Sequence, residues 1–197
     1  MRIVAIIVAC LVGMAAAHPH VFADASIAVL FDQGGFIGVR NHWVFDEVYS
    51  AAILASVDQN ADGKILDNEA VKVKETVLDP LAASNYYNYV VAETDFLSIR
   101  GLKNFKATMN NGKLAIDFIV VFSVPVKSDY TMITIAVSDP TNYIQITADM
   151  ENADAEAPDE IEVEFFADNL KGLTLFRAFR SDVLGLYLRF KALRAQQ

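Results

Sequence analysis

The first patterned segment of the chain predicts a β-hairpin. Over residues 21–31 apolar residues alternate with small or polar ones, which is typical of a half-buried strand. The turn-forming sequence Asp32-Gln33-Gly34-Gly35 follows, and residues 36–44 return as a second strand. The short turn between the two strands predicts that they pair with each other.

A helical pattern replaces this alternation after residue 45. Asp46 is suited to cap a helix over residues 47–57, whose apolar residues recur at helical spacing. A second helix is expected over residues 66–78, because a proline stops it two residues later. A further helical segment is expected over residues 81–91. Together these segments predict one helical insertion spanning about residues 46–91.

The rest of the chain returns to the alternation of period two that strands require. The turn Asn110-Asn111-Gly112 predicts a second hairpin, since Asn and Gly tolerate positive φ. We therefore predict an α+β fold, a β-rich sandwich or barrel-like domain with one helical insertion. The six predicted strands span residues 96–99, 102–109, 113–124, 131–137, 143–147 and 160–166.

The first 17 residues have the features of a secretory signal peptide. Arg2 precedes an apolar run of about a dozen residues, shorter than the roughly 20 that a membrane span needs, and Ala15-Ala16-Ala17 offers a cleavage site. Cleavage there makes His18 the first residue of a single mature domain, residues 18–197, and predicts a periplasmic or secreted protein. A lipoprotein anchored at Cys10 is the weaker alternative, because apolar sequence continues past this only cysteine. The mature chain then holds no disulfide.

Charge narrows the class of partner. The 197 residues carry a formal charge of −9, which argues against nucleic-acid binding, because phosphates require a basic surface. Residues 149–168 hold nine acidic residues and no Lys or Arg, whereas residues 170–197 hold six basic residues and one acidic residue. We interpret the acidic stretch as a solvated loop followed by a strand. The basic segment fits either a closing strand that pairs with this acidic strand or a helix in peripheral contact with a membrane; we favour the strand.

One motif has specific metal chemistry. Residues 58–69 match a twelve-residue EF-hand loop, in which calcium takes six or seven oxygen ligands. Gly63 permits the sharp turn at the sixth position of the loop. The alternative interpretation of residues 58–69 is an acidic loop that binds no metal. We expect a single structural calcium site that braces the helical insertion. Its predicted ligands are the side chains of Asp58, Asn60, Asp62 and Glu69 and the backbone carbonyl of Lys64.

The histidines suggest a second metal site. After cleavage, the α-amine and imidazole of His18 can chelate copper, nickel or zinc, and the imidazole of His20 lies two residues further on. Pro19 has no backbone N–H and so excludes the square-planar site that uses a deprotonated second amide. The alternative is that both histidines are polar residues preceding a strand. We expect His42 to be a packed or surface strand residue beside Trp43.

Several motifs together resemble one bacterial family. They are His18-Pro19-His20-Val21-Phe22, Trp43-Val44-Phe45-Asp46, Tyr49-Ser50 and Asp139-Pro140-Thr141-Asn142-Tyr143, with the EF-hand-like loop between them. Over about residues 18–147 the chain resembles the exported family catalogued as domain of unknown function 1007. The resemblance implies a periplasmic component of an uncharacterised transport system, with a membrane transporter for nickel, cobalt or zinc as partner. It brings no established activity.

Asp139 has two interpretations at this stage. Its carboxylate would complete a transition-metal site with His18 and His20, or it would cap the turn that Pro140 follows. We favour the turn.

Three functions follow from these motifs. The leading hypothesis is a non-catalytic metal-binding accessory protein for uptake or delivery of nickel, cobalt, zinc or copper, with a structural calcium ion. The second is a calcium-stabilised interaction module without a transition metal. The third is a copper monooxygenase with an N-terminal histidine brace, which requires His42 as its distant histidine.

Overall fold

The computed structural model describes residues 20–170 and 183–193. The predicted signal peptide, His18 and residues 171–182 lie outside these ranges. The described chain forms ten strands and two α-helices, with a π-helical turn over Lys74–Leu78 and a 3₁₀ segment over Asp79–Tyr87. The helices are α1 (Glu47–Val57) and α2 (Asp67–Val73). The strands are β1 (Val21–Asp32), β2 (Gly35–Phe45), β3 (Asn88–Ala92), β4 (Asp95–Phe96), β5 (Gly101–Asn110), β6 (Lys113–Pro125), β7 (Thr131–Val137), β8 (Ile144–Glu156), β9 (Ile161–Asn169) and β10 (Leu184–Ala192).

Two five-stranded sheets share one hydrophobic core. The first has the order β5-β6-β2-β1-β8 and the second the order β4-β3-β7-β10-β9. β1 pairs in parallel with β8, whereas its hairpin partner β2 is antiparallel. Side chains from both sheets, among them Trp43, Phe118 and Phe190, are fully buried in the core. The β-rich α+β prediction is confirmed as a two-sheet arrangement; the barrel alternative is wrong, because the sheets of the described chain do not close on each other.

The N-terminal hairpin and α1 form where the sequence predicted them. In β1 the buried residues alternate with exposed ones until Ile27, after which both faces are covered. Asp46 caps α1 by accepting the N–H of Tyr49 at 2.9 Å. The prediction of a helical segment over residues 81–91 is wrong from residue 88 onward: residues 81–87 belong to the 3₁₀ segment, and β3 begins at Asn88. The β-branched pair Val90-Val91 is buried in the sheet beside β7, which favours a strand there.

The basic segment is a strand over Leu184–Ala192, as favoured above. β10 pairs antiparallel with acidic β9, which places Arg189 opposite Glu164 and Lys191 opposite Glu162. Arg189 Nη2 lies 2.6 Å from Glu164 Oε2. The acidic stretch itself is more ordered than predicted, because β8 continues to Glu156 through its pairing with β1. In the described ranges, no helix has the length and apolar character needed to cross a membrane.

Candidate functional site

The twelve-residue loop lies between the two helices. Its first residue, Asp58, is also the C-terminal cap of α1 and donates its N–H to the carbonyl of Leu54 at 2.9 Å. Oδ2 of Asp58 accepts the N–H of Gly63 at 2.9 Å, and Gly63 adopts the positive φ of 74° that favours glycine. Oδ1 of Asp58 is buried and has no hydrogen-bond partner in the described chain. Such an acceptor is costly to bury unsatisfied, and a bound cation would satisfy it.

The middle of the loop is held by its own polar groups. Asp62 Oδ1 accepts the N–H of Lys64 at 2.9 Å, and Asn60 Oδ1 accepts the N–H of Asp62 at 3.2 Å. Asn60 Nδ2 also donates to Asp62 Oδ2 at 3.0 Å. Because these side chains are exposed, their oxygens can exchange a backbone partner for a cation.

Glu69 joins the two ends of the loop. Only 1% of its surface is exposed, although it carries a carboxylate. Oε1 accepts the N–H of Gln59 at 2.8 Å and Oε2 accepts the N–H of Leu66 at 2.9 Å. The donor set of the loop is all oxygen and fits a hard cation such as calcium.

The carboxylates of the loop are nevertheless engaged separately. Across residues 20–170 and 183–193, no three His, Cys, Asp or Glu side chains come close enough together to hold a metal ion. Asp58, Asp62 and Glu69 each accept N–H groups of the loop instead. Binding of calcium in the predicted manner therefore requires Glu69 to exchange at least one N–H for the cation.

A second site forms where the family motifs meet. The N–H groups of His20 and Val21 both donate to the carbonyl of Tyr143, at 3.0 and 3.3 Å. Phe22 N–H donates to Asp46 Oδ2 at 2.9 Å, and Asp46 N–H returns a bond to the carbonyl of Phe22. The three motif segments, far apart in the sequence, thus surround the start of β1.

Aromatic rings line this N-terminal site. The His20 and Tyr143 rings have centroids 5.4 Å apart, and those of Phe45 and Tyr49 are 5.0 Å apart. Burial, with the nearby Tyr143 and Asp46, raises the pKa of Tyr49 to about 12. The pKa of Asp46 is lowered, because burial is outweighed by the backbone N–H groups of Tyr49 and Phe22 that its carboxylate accepts.

Asp139 organises the turn that carries Tyr143. Oδ1 accepts the N–H and the hydroxyl of Thr141, both at 2.7 Å, and Oδ2 accepts the N–H groups of Tyr143 and Ile144, both at 3.0 Å. These four bonds engage both carboxylate oxygens of Asp139. Asp139 would have to break some of them in order to ligate a metal.

A strained turn lies near Asp139. Asn85, Tyr86 and Tyr87 have φ values of 56°, 49° and 55°, three successive residues in the left-handed region. Asn tolerates that conformation, whereas it costs about 1–2 kcal/mol for a residue such as Tyr86 or Tyr87. It brings the Tyr87 side chain to Asp139; burial, together with the charge of Asp139 and a hydrogen bond to it, raises the pKa of Tyr87 to about 12. Neither periodicity nor composition indicated this turn.

His42 lies elsewhere on the first sheet. On β2 it lies opposite Ser26 of β1. Ser26 is six residues further along the chain than His20, and at the rise of a strand this separates the two positions by about 20 Å. His42 Nδ1 lies 2.8 Å from Asp117 Oδ1, and both side chains are partly exposed. His42 is therefore a surface strand residue, and this separation opposes a histidine brace that joins it to His20.

A family model describes proteins of unknown function, DUF1007, and it matches residues 3–167. The chain belongs to this family. The DUF1007 match extends beyond the region that the motifs indicated and includes β8 and most of β9. A search of curated proteins finds no match.

Proposed function

We propose that this DUF1007 chain is an exported, non-catalytic metal-binding accessory protein that assists the uptake or delivery of a transition metal. The observation that carries the proposal is the meeting of three motif segments around His20, two residues after the predicted mature N-terminus. Residues 1–17 act as the signal peptide in this proposal. The partner is a membrane transporter for nickel, cobalt, zinc or copper.

The proposed ligands are three nitrogens: the α-amine and imidazole of His18 and the imidazole of His20. Nitrogen ligands of this kind suit copper, nickel and zinc. They must be deprotonated in order to bind, so affinity falls as the pH is lowered. Asp139 is left out of this ligand set, because its carboxylate already accepts four hydrogen bonds.

Moving the α-amine of His18 away from the imidazoles is the most direct test of the proposed ligands. A Gly-Ser extension before His18 moves the α-amine away but leaves both imidazoles and the fold intact. We expect titration calorimetry with copper, nickel and zinc to give at least about tenfold weaker binding, roughly 1.4 kcal/mol. His20→Ala should weaken binding as well, and His42→Ala is the control that should not.

Two results would contradict the proposal. Equal affinity of the native and extended proteins would dismiss the amine chelate, and loss of binding only in His42→Ala would move the site to the hairpin. N-terminal sequencing of exported protein tests the premise, because the chelate requires His18 as its first residue.

A calcium-stabilised interaction module without a transition metal is the second candidate. The buried, unpartnered Oδ1 of Asp58 favours it, since calcium in the loop would satisfy that oxygen. In this case calcium stabilises the protein, while copper, nickel and zinc bind the native and extended N-termini equally. The copper monooxygenase alternative is not proposed, because His42 is too far from His20 along the strand.

A further inference from the structure

We propose that Asp139 is the positioning residue of the N-terminal metal site, acting through Tyr143 to hold the His20 imidazole. The inference rests on the function proposed above and changes the role of Asp139 from ligand to support.

The first step runs from Asp139 to Tyr143. Asp139 is buried, with 6% of its surface exposed, and its Oδ2 accepts the N–H groups of Tyr143 and Ile144 at 3.0 Å. The N–H of Asn142 also donates to the carbonyl of Asp139, at 3.1 Å. The main chain of Tyr143 is therefore fixed by a side chain that solvent hardly reaches.

The second step runs from Tyr143 to His20. The carbonyl of Tyr143 accepts two successive N–H groups, those of His20 and Val21. Its ring lies beside the imidazole at a centroid distance of 5.4 Å and an interplanar angle of 43°. Both the backbone and the ring of His20 thus depend on one residue.

The third step explains why Asp139 itself stays in place. The strained turn of Asn85, Tyr86 and Tyr87 brings a second side chain to its carboxylate from the β3 side. Ser138 N–H donates to the carbonyl of Tyr87 at 3.1 Å, which joins this turn to the residue before Asp139. Backbone strain of this kind persists only where the surrounding structure enforces it, and it clusters at functional sites.

Fixing the imidazole matters because an ordered ligand loses less entropy when the metal binds. Support of the His20 imidazole by Tyr143 therefore lowers the entropic cost of using this ligand.

The test uses one variant that removes the ring and one that keeps it. Tyr143→Leu removes the aromatic contact, Tyr143→Phe retains it, and Asp139→Ala removes the acceptor for the Tyr143 and Ile144 N–H groups. Phe166→Leu is the matched control, since Phe166 is also exposed and lies 5.4 Å from the ring of Tyr187, but on β9. Because Tyr143 is 54% exposed, its variants should remain folded.

The first readout needs no metal. In the metal-free protein we expect NMR relaxation to give a more mobile His20 ring in Tyr143→Leu, but not in Tyr143→Phe or Phe166→Leu. In Asp139→Ala the order parameter of the His20 N–H should fall from about 0.85 to below about 0.6. A His20 that stays as rigid in both variants as in the wild type would overturn the inference.

The second readout is metal affinity. We expect copper, nickel and zinc to bind Tyr143→Leu about three- to tenfold more weakly, with binding rescued in Tyr143→Phe. If the wild type binds these metals and Tyr143→Leu binds them equally well, the inference fails while the proposed function stands. If the wild type binds none of them, the proposed function fails, and the relaxation data still decide whether Asp139 positions His20.

Discussion

At the residue scale, three aspartates shape the molecule by accepting backbone N–H groups. Asp46 begins α1, Asp58 ends it, and Asp139 forms the turn beside His20. The preference of Asp for caps and turns made two of these roles predictable. The hydrogen bond from Phe22 N–H to the Asp46 carboxylate was not predictable, because the packing of distant segments decides which N–H group lies near this carboxylate.

Replacing Asp46 should destabilise the protein through two lost contacts. Asp46→Ala removes the cap of α1 and the bond to Phe22 N–H, and the lost cap alone costs about 0.5–2 kcal/mol. Asp46→Asn should cost less, since one amide oxygen can still accept an N–H group. Urea unfolding measures both, with Glu47→Ala in the same first turn as the control. An unchanged midpoint in Asp46→Ala would refute the cap.

The lowered pKa of Asp46 gives this stabilisation a pH dependence. A carboxylate whose pKa is lower in the folded state stabilises the fold above its unfolded pKa, and this contribution disappears as the pH falls through the folded pKa. The usual value is 3.8, so the difference between wild type and Asp46→Ala should be constant near neutral pH and shrink below about pH 4. Urea midpoints measured between pH 7 and pH 3 check this, and a difference that widens on acidification would contradict it.

At the element scale, the segments with an unambiguous period were predictable and the short apolar runs were not. The alternation of β1 and the capped pattern of α1 give their positions within a residue or two. Residues 81–91 fit either state, and pairing with β7 converted the end of that run into β3. Similarly, the acidic content of residues 149–156 suggests a loop, yet these residues pair in parallel with β1 and form the second half of β8. Such long-range pairing has no local signal.

The pairing of basic β10 with acidic β9 predicts a charge-swap rescue. Arg189 donates to Glu164 Oε2 through Nε and Nη2, and its guanidinium lies 4.4 Å from the centre of the Tyr130 ring. Arg189→Glu places like charges opposite each other and should lower the melting temperature. Adding Glu164→Arg should recover part of that loss. Lack of recovery in the double variant would mean that the cross-strand pair contributes nothing.

A change at Glu69, in the loop between the helices, should lower the stability of the protein even without calcium. Glu69→Gln keeps one oxygen but faces the other N–H group with an amide donor, which leaves a buried polar group unsatisfied at a cost of about 1–3 kcal/mol. Urea unfolding in chelator measures this cost. Glu75→Gln, an exposed glutamate after α2, is the control and should have little effect. If Glu69→Gln is as stable as the wild type, the two hydrogen bonds of Glu69 do not contribute to the stability of the fold.

At the scale of the whole molecule, α1 connects the two candidate metal sites. Its first cap, Asp46, contacts the strand that follows His20, and its last cap, Asp58, begins the loop. The two caps are twelve residues apart in the chain, about 18 Å along the helix axis. Packing fixes this helix on the sheet, where the Ser50 hydroxyl accepts the N–H of Leu114 at 2.8 Å. An ion in the loop therefore acts on an element that both sites share.

Calcium should for this reason raise the melting temperature of the entire domain. A cation that binds only the folded state stabilises it by about 2.7 kcal/mol at a hundredfold excess over Kd. At roughly 2–4 °C per kcal/mol for a chain of this size, the shift is about 5–10 °C. A single site of the extracellular type binds in the range of about 10⁻⁴–10⁻³ M, so a hundredfold excess corresponds to about 10–100 mM calcium in the scan. Glu69→Gln should lose the calcium shift in addition to its cost in chelator, while Glu75→Gln keeps it. Magnesium should shift the wild type less, because it demands a tighter octahedral shell. If calcium at that concentration does not change the melting temperature of the wild type, the loop is held by its own hydrogen bonds alone. The buried Oδ1 of Asp58 is then not a calcium ligand.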